Sequence, residues 1–175
     1  MTAFEGRILV IGLGAVSRCT LPLLFEHVPA QRSQYTVIDF GNVDAHARWV
    51  MEQGARFVPD RIERETFGET FGRHVGPGDL IVDLAWNTGT ADLLEWCRAH
   101  DVRYVNASLE VWEPYAGMGT SPPQERTLYA RHMTGGSGEV RQATLCHESL
   151  HLWMPGVCHQ NGTRSMIASS DRWIG

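Results

Sequence analysis

The sequence lacks a long hydrophobic run and any cluster of basic residues. Its longest apolar stretch near the N-terminus covers residues 8–15 and is interrupted by glycines. A bilayer-spanning helix needs roughly 20 apolar residues, and neither a basic leader nor a small-residue cleavage site accompanies this stretch. We therefore expect no membrane partner and no signal peptide.

Charge and cysteine content exclude further classes of protein. The 175 residues include 15 basic and 20 acidic side chains, for a net charge of -5, so a nucleic acid would gain little from counterion release. The four cysteines are scattered and fit neither a disulfide framework nor a familiar zinc site. We expect a cytoplasmic protein with no metal site and no nucleic-acid partner, and the acidic balance leaves cationic ligands open.

Short apolar runs alternate with helical patterns through the first two-thirds of the chain. This alternation is typical of an α/β fold with a Rossmann-like, doubly wound parallel sheet. The runs are rich in Val, Ile and Leu, as expected of strands that are covered on both faces. The predicted strands cover residues 7–11, 35–39, 56–58, 79–84 and 103–106.

Helical patterns fill the connections between these strands. Pro22 is expected to kink the first helix because it removes a hydrogen bond to the carbonyl of Arg18. Asn87 or Thr88 is the expected N-cap of the helix after the fourth strand. The later helices are predicted over residues 44–53, 65–73, 90–100 and 124–132.

A glycine turn follows the first strand, where residues 8–17 read Ile-Leu-Val-Ile-Gly-Leu-Gly-Ala-Val-Ser. Gly12 permits a sharp turn, and Gly14 lets the backbone approach a pyrophosphate with no Cβ in the way. The phosphates would lie at the helix N-terminus over Ala15 and Val16, where free N–H groups favour an anion. Ser17 replaces the usual Gly or Ala; its hydroxyl is small enough for packing and able to donate to a phosphate.

The second strand ends in Asp39, about where the ribose of an adenine nucleotide would lie. A carboxylate there accepts hydrogen bonds from both ribose hydroxyls and repels a 2′-phosphate, so NAD is the expected cofactor rather than NADP. The alternative is that Asp39 caps a turn and the glycines only tighten a strand–helix corner.

Two further strand ends open into the same crevice, because ligands of doubly wound sheets bind beyond the carboxyl ends of the strands. Asn87 and Thr88 follow the fourth strand, and Asn106 ends the fifth. Their polar groups suit contacts with ribose and nicotinamide. Helix capping by Asn87 and Thr88, and turn formation by Asn106, remain open alternatives.

Residues 7–133 resemble the bacterial homospermidine synthases, which are related to saccharopine dehydrogenase-like NAD enzymes. The matching pieces are residues 11–24 with their Thr-Leu-Pro-Leu run, the strand ending at Asp39, and residues 104–112. The resemblance implies condensation of two putrescines into homospermidine with loss of ammonia, with NAD as the hydride store. It also implies that Gly12, Gly14, Ser17 and Asp39 hold the NAD, and it leaves a homodimer of the full-length form open.

The same resemblance suggests a catalytic residue. Glu110 matches a family carboxylate beside the polyamine site, where an anion suits a diamine with two positive charges. An ordinary solvated loop carboxylate is the alternative. Trp86 and Trp112 are candidates to stack on a cation, or else are simple core or loop anchors.

The patterning disappears after about Gly135, where the resemblance also stops. We therefore expect a Rossmann NAD-binding domain over residues 1–133, followed by an irregular tail over residues 134–175. The hypothesis for the tail is a remnant of a missing or frame-shifted second domain, which would leave NAD binding but little condensation activity. The rival functions are another saccharopine dehydrogenase-like oxidoreductase, a non-catalytic NAD-binding module, and a methyltransferase, which usually has an acidic residue where this chain has Val10 and Ile11.

Overall fold

Five parallel strands form one sheet with helices in the connections. The structure is a computed structural model, which describes residues 3–115 and 122–127. The strands are β1 (Ile8–Ile11), β2 (Tyr35–Asp39), β3 (Arg56–Pro59), β4 (Leu80–Asp83) and β5 (Arg103–Asn106). The helices are α1 (Ala15–His27), α2 (Ala45–Glu52), α3 (Phe67–His74) and α4 (Thr90–Ala99), with short 3-10 turns at Arg32–Gln34 and Pro123–Arg126.

The strand order is β3-β2-β1-β4-β5. The chain moves outward from β1 to β3 and then crosses to β4 on the other side of β1, so the order reverses beside β1. Ile11 pairs with Ile38 of β2 and with Asp83 of β4. Because all pairs are parallel, the carboxyl ends of the strands meet along one edge, where ligands of this fold class bind.

Both faces of β1 are covered. Ile8 and Val10 belong to a core cluster with α1 and α2, while Leu9 and Ile11 belong to a second cluster with Phe71 of α3 and with α4. Side chains alternate between the faces of a strand, so burial on both faces explains why β1 reads as a continuous apolar run. The predicted Rossmann-like α/β fold is confirmed.

The N-cap prediction for α4 is wrong. Gly89 occupies the N-cap position, without a side-chain hydrogen bond from the described residues. The Thr88 hydroxyl instead donates to Asp83 Oδ2 over 3.1 Å, and Asn87 lies in the left-handed region with φ 69°. Neither side chain therefore caps the first turn of α4.

Other helix predictions agree with the structure to within a few residues. Helix α1 continues through Pro22 to His27, and α3 begins at Phe67 rather than at residue 65. Of the helix predicted over residues 124–132, the described residues show only the 3-10 turn that ends at Arg126. The tail over residues 134–175 lies outside the described residues. In the part that is described, no helix has the length and apolar character needed to cross a membrane.

Candidate functional site

The glycine turn lies at the end of β1, where the strand order reverses. The Gly12 N–H donates to the Ile38 carbonyl over 2.8 Å, and Gly12 has φ +89°. A Cβ at this position would lie 2.9 Å from the Cα and 3.0 Å from the N of Ala85. Both the backbone conformation and the close approach of the loop after β4 therefore require glycine.

Gly14 faces open space at the start of α1. It is the N-cap residue, and among the described residues no side chain caps it and no atom lies within 4 Å of where its Cβ would stand. Ala15 and Val16 follow it in the first turn, are exposed, and have no acidic neighbour in that turn. The N–H groups and the positive end of the helix dipole thus face an open space that suits an anion.

Ser17 closes the turn from the inside. Its side chain is fully buried, and its hydroxyl donates to the Gly12 carbonyl. The side chain packs between helix and strand, in line with the packing role suggested by its size. Because its one proton is already donated to Gly12, donation to a phosphate is not what the structure shows.

Asp39 joins the end of β2 to the glycine turn. Its Oδ2 accepts the Leu13 N–H over 2.6 Å, and its Oδ1 accepts the Gly41 N–H over 2.7 Å. Asp39 thus caps a turn, as in the alternative interpretation of this residue. A carboxylate oxygen has two lone pairs, so each oxygen keeps an acceptor position for a ligand hydroxyl.

Asp83 ends β4 and was not predicted as a site residue, because residues 80–83 have the pattern of an ordinary strand. It is 3% exposed. Its Oδ2 accepts hydrogen bonds from Tyr104 over 2.8 Å and from Thr88 over 3.1 Å, and its Oδ1 accepts the Ala85 N–H over 3.1 Å. Burial raises the pKa of Asp83, against the effect of these hydrogen bonds.

The loop after β4 also carries Asn87, which precedes Thr88 in the chain. The Asn87 Oδ1 is buried and has no hydrogen-bond partner among the described residues. A buried carbonyl oxygen without a partner is costly, so this atom suits a ligand group that donates a hydrogen bond. Trp86, next to it, is 61% exposed, and its ring centroid lies 5.6 Å from that of Tyr115.

The loop after β5 places Glu110 against the start of α4. The Glu110 N–H donates to the Thr90 hydroxyl over 2.9 Å, and the Thr90 N–H donates to the Glu110 carbonyl over 3.1 Å. Ser108 donates to Glu110 Oε1 over 2.8 Å, and the Asn106 amide donates to the Ser108 carbonyl over 2.6 Å. Asn106 thus stabilises a turn, which was the alternative to a cofactor contact, and Ser108 of the same turn holds the Glu110 carboxylate.

Trp112 is a loop anchor. Its indole packs directly on Gly89, its ring centroid lies 6.0 Å from that of Phe67, and its Nε1 donates to Asp92 over 2.7 Å. Of the two tryptophans considered for a cation, Trp86 is the more exposed. In residues 3–115 and 122–127, no group of three or more His, Cys, Asp or Glu side chains is placed to hold a metal ion.

The sheet thus gathers the predicted site residues at its carboxyl edge. They are Gly12, Gly14, Ala15, Val16, Ser17, Asp39, Asn87, Thr88, Asn106 and Glu110. The family model for the saccharopine dehydrogenase NADP binding domain matches residues 8–135. The chain belongs to this family.

Relatives of this saccharopine dehydrogenase-type domain agree with the resemblance seen in the sequence. A homospermidine synthase of Blastochloris viridis is 31% identical over 134 residues, which cover 74% of this chain and 28% of that protein. A homospermidine synthase of Mesorhizobium japonicum is 28% identical over 128 residues, or 71% of this chain and 26% of that protein. The chain spans little more than a quarter of these relatives.

A solved structure supports the fold. The crystal structure of a Legionella pneumophila homospermidine synthase in complex with NAD superimposes with a TM-score of 0.63 at 24% identity. The match covers 81% of this chain and 27% of that one. The saccharopine dehydrogenase-type domain therefore has the Rossmann-like fold of that protein.

Proposed function

We propose that this chain is the NAD-binding part of a homospermidine synthase-like enzyme, which condenses two putrescines to homospermidine with release of ammonia. Two relatives are homospermidine synthases by name, and a structural neighbour was solved with NAD. The observation that carries the proposal is the open N-terminus of α1 at Gly14. When bound, NAD supplies a hydride acceptor and, once reduced, a hydride donor for an amine carbon.

The glycine turn fits a pyrophosphate. Gly12 brings the chain round sharply, Gly14 leaves the approach open, and the N–H groups at Ala15 and Val16 begin the helix. Ser17 supports this turn from the core side. Anions at such helix N-termini gain about 0.3–1 kcal/mol from the dipole, in addition to charge-assisted hydrogen bonds of about 1.5–3 kcal/mol each.

Asp39 is the proposed ribose ligand and the cause of a preference for NAD. Its two oxygens are oriented by backbone N–H groups and retain acceptor capacity for ribose hydroxyls. A 2′-phosphate about 4 Å from this carboxylate would be repelled by about 1–4 kcal/mol, depending on how well water screens the two charges. NADP should therefore bind roughly five-fold to a thousand-fold more weakly than NAD.

The other half of the crevice suits nicotinamide and the amine substrate. Asn87, Thr88 and Asn106 lie at the ends of β4 and β5, on the side of β1 away from Asp39. Glu110 is the proposed carboxylate for a diammonium substrate, and the exposed face of Trp86 would add about 0.5–2 kcal/mol for a cation. A cytoplasmic location and a homodimer of the full-length form complete the proposal.

Calorimetric titration with NAD and NADP tests cofactor binding. We expect the chain to prefer NAD, and we expect Asp39→Ala to weaken NAD binding and to narrow the ratio of the two affinities. Asp60→Ala is the matched control, since Asp60 follows β3 at the same sheet edge and its carboxylate, among residues 3–115 and 122–127, accepts a hydrogen bond from the neighbouring Arg61 N–H alone. A folded chain that binds neither nucleotide, or that prefers NADP, contradicts the proposal.

A chimera tests the reaction. Residues 8–127 would replace the matching segment of the Blastochloris viridis enzyme, and the product would be assayed with putrescine and NAD. We expect homospermidine to form without net accumulation of NADH. Accumulation of NADH would instead support a saccharopine dehydrogenase-like oxidoreductase, and a Glu110→Gln chimera is expected to lose affinity for putrescine.

A further inference from the structure

Asp83 lies at the centre of a buried hydrogen-bond network that joins several segments of the sheet edge. One branch of the network holds the loop after β4, because the carboxylate accepts both the Ala85 N–H and the Thr88 hydroxyl. These two bonds enclose Trp86 and Asn87. The same loop also contacts the glycine turn, since Ala85 fills the space beside Gly12.

The other branch leads to Glu110. Tyr104 of β5 donates to Asp83 over 2.8 Å. Burial raises the pKa of Tyr104, and the neighbouring Thr90 hydroxyl opposes that rise. Thr90 in turn exchanges two hydrogen bonds with the Glu110 backbone. The Tyr104 and Thr90 hydroxyls thus lie between Asp83 and the backbone of Glu110, whose carboxylate is the proposed substrate ligand.

Asp79 is a second buried carboxylate and serves as a comparison for Asp83, since its hydrogen bonds lie away from the proposed site. Asp79, at the opposite end of β4, is 7% exposed and accepts hydrogen bonds from the N–H groups of Arg7 and Gly76. It also forms a 2.8 Å ion pair with Arg7. Asp83 has no such cation among the described residues, although a buried negative charge without one is costly.

Asn87 lies in the chain between Ala85 and Thr88, which both donate to Asp83. Asn87 is held with φ 69°, and its Oδ1 is buried without a hydrogen bond from the described residues. Asparagine tolerates the left-handed region better than most residues. The conformation nevertheless has to be maintained by the surrounding chain. Asp83 accepts hydrogen bonds from Ala85 and Thr88, one on each side of Asn87.

We propose that Asp83 is a positioning residue, which fixes the Asn87 amide and the Glu110 segment relative to the glycine turn so that the nicotinamide riboside half of the cofactor meets preformed acceptors. The inference rests on the proposed NAD binding and deepens it. The ligand group that Asn87 would accept from is an N–H or O–H donor. The adenine half, which would lie on the β2 side of β1, should be indifferent to this network.

The test compares NAD with ADP, which lacks the nicotinamide riboside. We expect Asp83→Asn to weaken NAD at least tenfold and to change the affinity for ADP by less than twofold. Asp79→Asn is the control, because it also removes a buried carboxylate next to β4 and is expected to lower thermal stability, but should change neither affinity. A merely structural role of Asp83 would weaken both nucleotides alike or neither, and that result would overturn the inference.

A second pair of variants covers the case in which Asp83→Asn does not fold. Thr88→Val keeps the shape of the side chain but removes its hydroxyl, while Thr88→Ser retains the hydroxyl. NAD affinity is expected to fall in the valine variant and to recover in the serine variant, again with ADP affinity unchanged. Equal NAD affinity in the two variants would refute the role of the hydroxyl.

The branch towards Glu110 is tested with Tyr104→Phe. We expect faster hydrogen exchange of the Glu110 amide in this variant, and unchanged exchange would contradict the role of Tyr104. If the wild-type chain binds neither NAD nor ADP, the proposed function itself fails.

Discussion

Substitution of the two turn glycines by alanine separates folding from nucleotide binding. The two positions are only two residues apart, yet their surroundings differ. A Cβ at Gly12 would overlap the backbone of Ala85 at 2.9 Å, whereas a Cβ at Gly14 meets nothing within 4 Å among the described residues. Gly12→Ala should therefore mainly destabilise the protein, and Gly14→Ala should mainly weaken nucleotide binding.

The magnitudes follow from these geometries. At Gly12, with φ +89°, left-handed strain of about 1–2 kcal/mol adds to overpacking of about 1–3 kcal/mol. The sum of about 2–5 kcal/mol lowers the melting temperature by roughly 4–20 °C in a protein of this size. At Gly14, with φ -78°, alanine lacks the N-cap preference of glycine but reduces the entropy of the unfolded chain, so stability changes by less than about 1 kcal/mol.

NAD affinity should fall mainly in Gly14→Ala, whereas stability falls mainly in Gly12→Ala. A methyl group at Gly14 occupies the space from which a pyrophosphate reaches the N–H groups of α1. Loss of one or two charge-assisted hydrogen bonds costs about 2–4 kcal/mol, or roughly 30- to 700-fold in NAD affinity. Thermal melts and calorimetric titrations of both variants give the two quantities. Unchanged NAD affinity in a folded Gly14→Ala protein would refute the placement of the pyrophosphate at α1.

Two further predictions concern stability. Leu21→Ala should cost about 2–5 kcal/mol in denaturant unfolding, because Leu21 of α1 is fully buried in the core; a loss below about 1 kcal/mol would contradict that packing. Burial, followed by the charges of Arg56 and Arg73, lowers the pKa of His74 from its ordinary value of 6.5, although Asp60 opposes the shift. The unfolded chain therefore takes up the proton first, so the stability contributed by neutral His74 is present above pH 6.5 and is lost as pH falls through the lowered pKa. His74→Gln should flatten this acid-side decline, and an unchanged pH profile would contradict the shift.

Local pattern was sufficient to predict the fold. The run Ile8–Ile11 is apolar at every position because both faces of β1 are covered, and the other four strands follow the same rule closely enough to be placed from sequence. The glycine turn and the strand-ending Asp39 lie within a few residues of their elements. Their positions at the strand ends are therefore visible in a short stretch of sequence, and their roles in NAD binding stay predictions.

Hydrogen-bond partners were decided by the tertiary structure. Asp83 and Tyr104 are 21 positions apart in the chain. They meet because β4 and β5 pair in a register that sets Ile81 beside Tyr104, on the same face as Asp83. Thr88 turns to the same carboxylate and leaves the N-cap to Gly89. Burial follows from a local period of apolar residues, but the partner of a polar group depends on distances that only the assembled sheet defines.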